Sequence, residues 1–264
     1  MRPVVSFDLD GVLIQNPFKL GVGPHLRAHV RAGAALRDLD QEEADRRIHD
    51  AVSAAVAERM GRGDLVAAYD WDVIFSEVAR GFGADPVPDV AGLVRHYCAV
   101  PETIWLLDRA GPTLAALAEA GFGLVATTNG FQRYQLPVLE ALGIADRFDR
   151  VLAPDSTGFA KPDPGILAGV PGLVAHVGDM LYHDVLVARR LGVSAVWVTD
   201  ALPDELAALP VATRTADAGF ADWFGRVRDV QPYRSAHPEA RPEDLVPHHG
   251  VRHVGEVTPG LLAV

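Results

Sequence analysis

Short apolar runs that stop at glycine or acidic residues alternate with helix-period stretches over most of this chain. Residues 4–7 read as a strand, as do 122–128, 150–152, 173–177 and 194–198. Amphipathic or glycine-terminated helical patterns separate them at 113–119, 136–142, 164–168 and 185–191, and further helices are predicted at 205–208 and 217–227. A regular exchange of strand and helix predicts a parallel α/β sheet.

One long stretch breaks the alternation. Residues 25–37, 41–60, 64–79 and 90–97 all carry helical patterns with no strand between them. Asp40 stands where an N-cap belongs, and Glu42 and Glu43 follow in the first turn, where the helix dipole favours acids. Val52, Val56 and Met60 form one stripe, and Gly61 and Gly63 end the helix. A helical module inserted into the sheet domain accounts for this. The predicted organisation is a core built from residues 1–14 and 105–228, a helical cap at 15–104, and a Pro/Gly/His-rich tail at 229–264 expected to be irregular. His248, His249 and His253 in that tail are loosely spaced with no cysteine nearby, so they read as a solvent-facing cluster rather than a metal site.

Composition narrows the function. The chain has 264 residues, enough for a sizeable core, and a formal net charge of -11. The acidic balance argues against nucleic acid as partner. No apolar run is long enough to cross a membrane, and the first residues lack the pattern of a signal peptide. Cys98 is the single cysteine, which fits a reducing, cytoplasmic setting.

Candidate chemistry gathers where predicted strands end. Asp8 and Asp10 are spaced i,i+2 after the first strand, and Gly11 marks a sharp turn. Close carboxylates repel, which makes a hard counter-cation such as Mg²⁺ plausible. Thr128 and Asn129 follow the second strand, Asp179 and Asp184 follow Gly178, and Lys161 precedes Pro162. Open α/β sheets collect ligands beyond the carboxyl ends of their strands, so these four segments are expected to meet.

These segments resemble the motifs of the haloacid dehalogenase-like (HAD) hydrolase superfamily: Asp8-Leu9-Asp10-Gly11-Val12, Thr128-Asn129-Gly130, Lys161-Pro162, and Gly178-Asp179 through Asp184. The resemblance implies a Rossmann-like parallel sheet core with an inserted, mostly helical cap, similar to subfamily I and its phosphatase-rich branch. It implies Asp8 as a nucleophile that forms an aspartyl-phosphate and Asp10 as general acid and then base. Thr128 and Lys161 would hold the phosphoryl group, with Asn129 and Gly130 in the phosphate-binding turn. Asp8, Asp179, Asp184 and the backbone carbonyl of Asp10 would surround Mg²⁺. The expected substrate is a small phosphorylated metabolite, and the expected assembly a monomer or homodimer. Phosphomutase, dehalogenase, and a catalytically silent binding protein on the same fold are the alternatives. Asp10 favours ester hydrolysis over dehalogenation, because a leaving oxygen needs a proton and a halide does not.

Overall fold

The computed structural model describes residues 1–87 and 89–262. The chain divides into two compact units. The first comprises Met1–Gln15, Leu106–Asn129 and Ile144–Val264, and the second Asn16–Trp105 and Gly130–Gly143.

Among the described residues there are eight strands: β1 (Val4–Phe7), β2 (Ile14–Gln15), β3 (Trp105–Leu106), β4 (Gly123–Thr127), β5 (Arg150–Leu152), β6 (Leu173–Gly178), β7 (Ser194–Val198) and β8 (His249–Val251). Six form one sheet in the order β5-β4-β1-β6-β7-β8, and β2 and β3 form a separate two-stranded ladder. Every ladder of the large sheet is parallel. From the central β1 the order runs outward in opposite directions, through β4 and β5 on one side and β6 to β8 on the other. Such a reversal opens a crevice at the carboxyl ends of the middle strands.

The central strands are buried on both faces, as helices packed on a parallel sheet require. Val5 and Phe7 are fully covered, as are Ala126, Ala175 and Val177. Burying each Val, Leu or Phe side chain contributes roughly 1.5–3 kcal/mol. On one side Trp197 stacks on Trp223 with ring centroids 5.4 Å apart, inside a cluster with Phe220, Phe224 and Leu245.

The C-terminal stretch differs from the irregular tail expected for residues 229–264. It supplies β8, which pairs in register with β7, Trp197 opposite Gly250. His248 is part of that edge: its N–H donates to the Ala195 carbonyl and its Nδ1 accepts the Ala195 N–H, both at 2.9 Å. Arg214 is buried and donates to the Gly250 carbonyl at 3.1 Å and to Glu256 at 2.7 and 2.9 Å. Three strand residues with a central glycine carry too little alternation to be legible as a strand. Gly250 is selected instead by closeness, since a Cβ there would stand 3.1 Å from the Phe220 ring.

The second unit is helical. Its main helices are Gly23–Arg31, Gln41–Gly61, Trp71–Gly81, Val90–Cys98 and Gln132–Ala141. Asp40 caps the second of these as the sequence predicts, accepting the Glu43 N–H at 2.8 Å. The expected helix 64–79 is instead a short turn at Ala67–Tyr69 followed by a helix that Asp70 caps. The helix Gln132–Ala141 lies in this unit although the sequence pattern assigns it to the sheet domain. Its Tyr134 hydroxyl donates to Asp72 at 2.6 Å, and Arg133 bonds Asp70 at 2.6 Å and Asp72 at 3.2 Å. Trp71 packs within this unit against Phe18 and Phe75. Arg31 is engaged by Asp45. Among the described residues no helix is long and apolar enough to cross a membrane.

Candidate active site

Extended backbone carries β1 to Phe7, and the chain then turns. Asp8 continues the strand through its N–H to the Val177 carbonyl at 2.8 Å. The carbonyl of Leu9 accepts the N–H groups of Leu13 and Ile14 at 2.9 and 3.0 Å, closing a tight loop around Asp10 and Gly11. Gly11 has φ of +78°, and a Cβ on it would lie 2.5 Å from an oxygen of Asp179. Glycine is therefore required twice over, by backbone conformation and by the approach of the second carboxylate.

Asp179 is placed by the end of β6 and by Trp197, whose indole N–H donates to the Asp179 carbonyl at 2.8 Å. Asp184 follows in a short π-helical turn at Leu181–Val185. Its Oδ2 accepts the Met180 N–H at 2.9 Å, and a Cβ on Gly178 would sit 2.1 Å from its carboxyl carbon. Lys161 is anchored through its backbone: Asn129 accepts the Lys161 N–H at 2.7 Å and donates to the Lys161 carbonyl at 3.0 Å. This reciprocal pair gives Asn129 a scaffolding task beside the phosphate-binding one expected of it.

The side chains then converge. Lys161 is 2 % exposed, and its ammonium lies 2.9 Å from Asp8 Oδ1 and 2.6 Å from Asp184 Oδ1. Carboxylate oxygens of Asp8, Asp179 and Asp184 all lie within 4.8 Å of one another. Of the four residues expected around a cation, these three share the cluster through their side chains, while Asp10 stands in the adjoining turn. Thr128 is buried at the end of β4, with its N–H on the Leu152 carbonyl at 3.0 Å. Gly130 falls in the helical unit.

Burial and charge set the protonation of this cluster. Burial raises the Asp8 carboxyl above its ordinary range, Lys161 opposes the rise and Asp184 adds to it. Asp179 is pushed up to about 8, by burial first and then by repulsion from Asp8 and Asp184. Burial also works against the charged form of Asp184, but Lys161 and His176 outweigh it and hold this carboxyl below its usual range. Burial works against the Lys161 ammonium in the same way, and Asp184 and Asp8 overcome it, so its pKa is raised. The cluster thus sets one ammonium among three carboxyl groups. Asp179 Oδ1 is buried without a hydrogen-bond partner among the described residues. An orphaned carboxyl oxygen beside two further carboxyl groups is a donor set for a hard divalent cation. A cavity of about 470 Å³ opens beside it, lined by Gly11, Asp108, Asp179, Thr199 and Arg252 among others.

Two features near the site were not anticipated from sequence. Tyr233, from the C-terminal stretch, packs on His183 with ring centroids 4.2 Å apart, and its backbone adopts φ of +65°. Burial and then the charge of Asp179 raise its hydroxyl pKa. Beneath the carboxylates, His176 bonds Asp184 at 3.0 Å from inside β6. The signal for His176 was a lone imidazole in an otherwise apolar strand; Tyr233 has no comparable signal.

Comparison with known proteins agrees with this architecture. The model of the haloacid dehalogenase-like hydrolase family matches residues 3–192. The chain is 33 % identical over 210 residues to a probable phosphatase, IndB, of Dickeya dadantii, covering 75 % of this chain and 82 % of that protein. It is 28 % identical to a phosphoglycolate phosphatase of Yersinia pseudotuberculosis, over 74 % of this chain and 80 % of the relative. The crystal structure of a HAD phosphatase from Thermococcus onnurineus superposes with a TM-score of 0.60 at 26 % identity, covering 76 % of this chain and 88 % of that one. With residues 3–192, most of its length, matched by the family model, this chain belongs to the haloacid dehalogenase-like hydrolase family.

Proposed function

We propose that the protein is a Mg²⁺-dependent phosphatase that hydrolyses the ester of a small phosphorylated metabolite, with Asp8 as nucleophile. The observation that carries this reading is the buried Lys161 ammonium held between Asp8 and Asp184, with Asp179 completing an acidic triplet. A nucleophilic carboxylate and a phosphoryl group are both anionic, so the site must supply positive charge. The phosphatase names of the relatives point the same way. A cytoplasmic setting, consistent with the one free cysteine, belongs to the same reading.

The chemistry divides into two displacements. An oxygen of Asp8 attacks phosphorus, the bond to the ester oxygen breaks, and Asp10 gives that oxygen its proton. Asp10, now a carboxylate, takes a proton from water; the water oxygen attacks phosphorus, the acyl-phosphate bond breaks, and Asp8 and inorganic phosphate are released. Two of the three Lys161 N–H donors are committed to Asp8 and Asp184, and the third is directed to a phosphoryl oxygen. Thr128, at the end of β4, bonds another. The carboxylates of Asp8 and Asp179 and the Asp10 carbonyl would hold the cation, with Asp184 supporting them, and the cation would neutralise the charge that these groups and the phosphoryl oxygens bring together.

The test is a phosphate-ester panel run with Mg²⁺ and with excess chelator. Turnover that needs the cation and vanishes in Asp8→Asn is the expected result. Turnover in chelator, or a fully active Asp8→Asn protein, would overturn the assignment. Release of halide from a haloacid instead of phosphate would favour the dehalogenase alternative, and transfer within a sugar phosphate the mutase.

A further inference from the structure

Three polar side chains that the two displacements do not use lie beneath the site. Ser6 and Thr127 are 0 % exposed and His176 is 1 % exposed. Strands buried on both faces are normally near-continuous apolar runs, so polar groups here need a reason. Alternation and register put all three on one face of the sheet. Ser6 stands opposite His176 in β6 and opposite Val125 in β4, two residues before Thr127.

They form one continuous chain of contacts. Thr127 Oγ1 and Ser6 Oγ are 2.7 Å apart, Ser6 Oγ and His176 Nδ1 3.0 Å, and His176 Nε2 and Asp184 Oδ1 3.0 Å. The same Asp184 oxygen accepts from Lys161 at 2.6 Å, and Lys161 reaches Asp8 at 2.9 Å. Counting donors and acceptors fixes the direction of the bond to Asp184. A carboxylate only accepts, so His176 Nε2–H donates to Asp184. The Ser6 and Thr127 hydroxyls, each able to donate and to accept, continue the chain from Nδ1. Serine, histidine and aspartate stand in the order of a hydrolase triad. Here, however, the serine is sealed inside the sheet and meets no substrate, so the arrangement acts in the other direction, on Asp184.

We propose that His176 is a positioning residue that fixes Asp184 and, through it, holds Lys161 on the nucleophile Asp8. Asp184 Oδ2 is taken by the Met180 N–H and Oδ1 by two donors, His176 and Lys161. Three donors from three directions leave the carboxylate one orientation. Gly178 provides the space for it above the strand. Removing the imidazole frees Asp184 to turn, and Lys161 turns with it. This inference rests on the phosphatase reading of Asp8 and Lys161.

The experiment compares His176→Met, which fills the volume without a donor, with His176→Gln, whose amide N–H replaces the lost one. Kinetics are measured on the best ester of the panel with Mg²⁺, per active site. His176→Met is expected to lose about 10- to 100-fold in kcat with KM little changed, the range typical of groups that orient a ligating side chain. His176→Gln is expected to recover most of it. If His176→Met does not fold, Ser6→Ala serves, with a smaller loss in the same direction. A wild-type kcat in the folded Met and Ser6→Ala variants, or a folded Gln variant no better than Met, would overturn the proposal. Nitrogen-resolved NMR of the wild type in chelator gives a readout independent of turnover. Nε2 of His176 should carry a slowly exchanging proton that shifts in Asp184→Asn, and a bare Nε2 would also overturn the proposal. If the NMR pattern holds and the wild type turns over no ester, the phosphatase reading is what fails, and the catalytic role of His176 falls with it.

Discussion

Replacing Asp179 with asparagine should stabilise the protein in chelator and weaken it, relative to wild type, in Mg²⁺. In chelator the Asp179 carboxyl is raised from 3.8 to about 8 by burial and by its two acidic neighbours. Between about pH 4 and pH 8 the folded protein therefore holds a proton that the unfolded chain has released. Stability falls as pH rises through that window and levels off above it. Asparagine is neutral at every pH and removes the dependence. At pH 7 the solution stands about 3 units above 3.8, and each unit corresponds to about 1.4 kcal/mol, which bounds the benefit of Asp179→Asn at about 4 kcal/mol. Relaxation around a half-buried carboxyl reduces this. Half of it, about 2 kcal/mol, raises Tm by about 4–8 °C in a chain of this size. Added cation should reverse the order, because a ligand at 100 times its Kd stabilises the wild type by about 2.7 kcal/mol, and the variant has lost one of the carboxylates proposed to hold it. Calorimetric melts of both proteins at pH 5, 7 and 8, in chelator and across a Mg²⁺ series, provide the comparison. A variant that melts below wild type in chelator at pH 7, or that gains as much from Mg²⁺ as wild type does, would refute the reasoning.

Three further outcomes follow from the packing. Gly11→Ala places a Cβ 2.5 Å from Asp179 at a φ of +78°, so it should lower Tm and weaken Mg²⁺ binding by calorimetry, while Gly143→Ala, with φ of +67° and open space around it, should affect stability alone. Asn129→Ala removes both bonds to the Lys161 backbone, and about 10- to 100-fold should be lost from kcat/KM, with Asn129→Asp losing less than alanine because it still accepts the Lys161 N–H. Glu256→Ala leaves the buried Arg214 guanidinium uncompensated and should destabilise the fold by about 3–5 kcal/mol in urea titrations. A Glu256→Ala protein as stable as wild type would mean that the C-terminal stretch is not integral to the sheet domain.

The sequence by itself determined the alternation of strands and helices, the helical insertion, and the positions of Asp8, Asp179 and Asp184 after predicted strands. Each of these rests on local rules. A strand announces itself by a short apolar run, a turn by glycine, and a helix start by a capping residue such as Asp40. Three of the four motif segments follow apolar runs where the chain leaves a parallel sheet, whereas Lys161-Pro162 follows no strand and was legible through the family resemblance. Tertiary structure alone decided the rest. His248, His249 and His253 looked like a polar tail, yet β8 exists because β7 offers an unpaired edge and because Gly250 can lie on Phe220. The helix Gln132–Ala141 follows the second motif in sequence, but its arginine and tyrosine find their acidic partners at Asp70 and Asp72, about sixty residues earlier. Ser6, Thr127 and His176 show the limit most plainly. Each is a single polar residue in an apolar strand, which local pattern reads as an irregularity. Only strand order and register bring the three into line under Asp184, because hydrogen bonds between side chains depend on distances across the sheet that no property of one strand specifies.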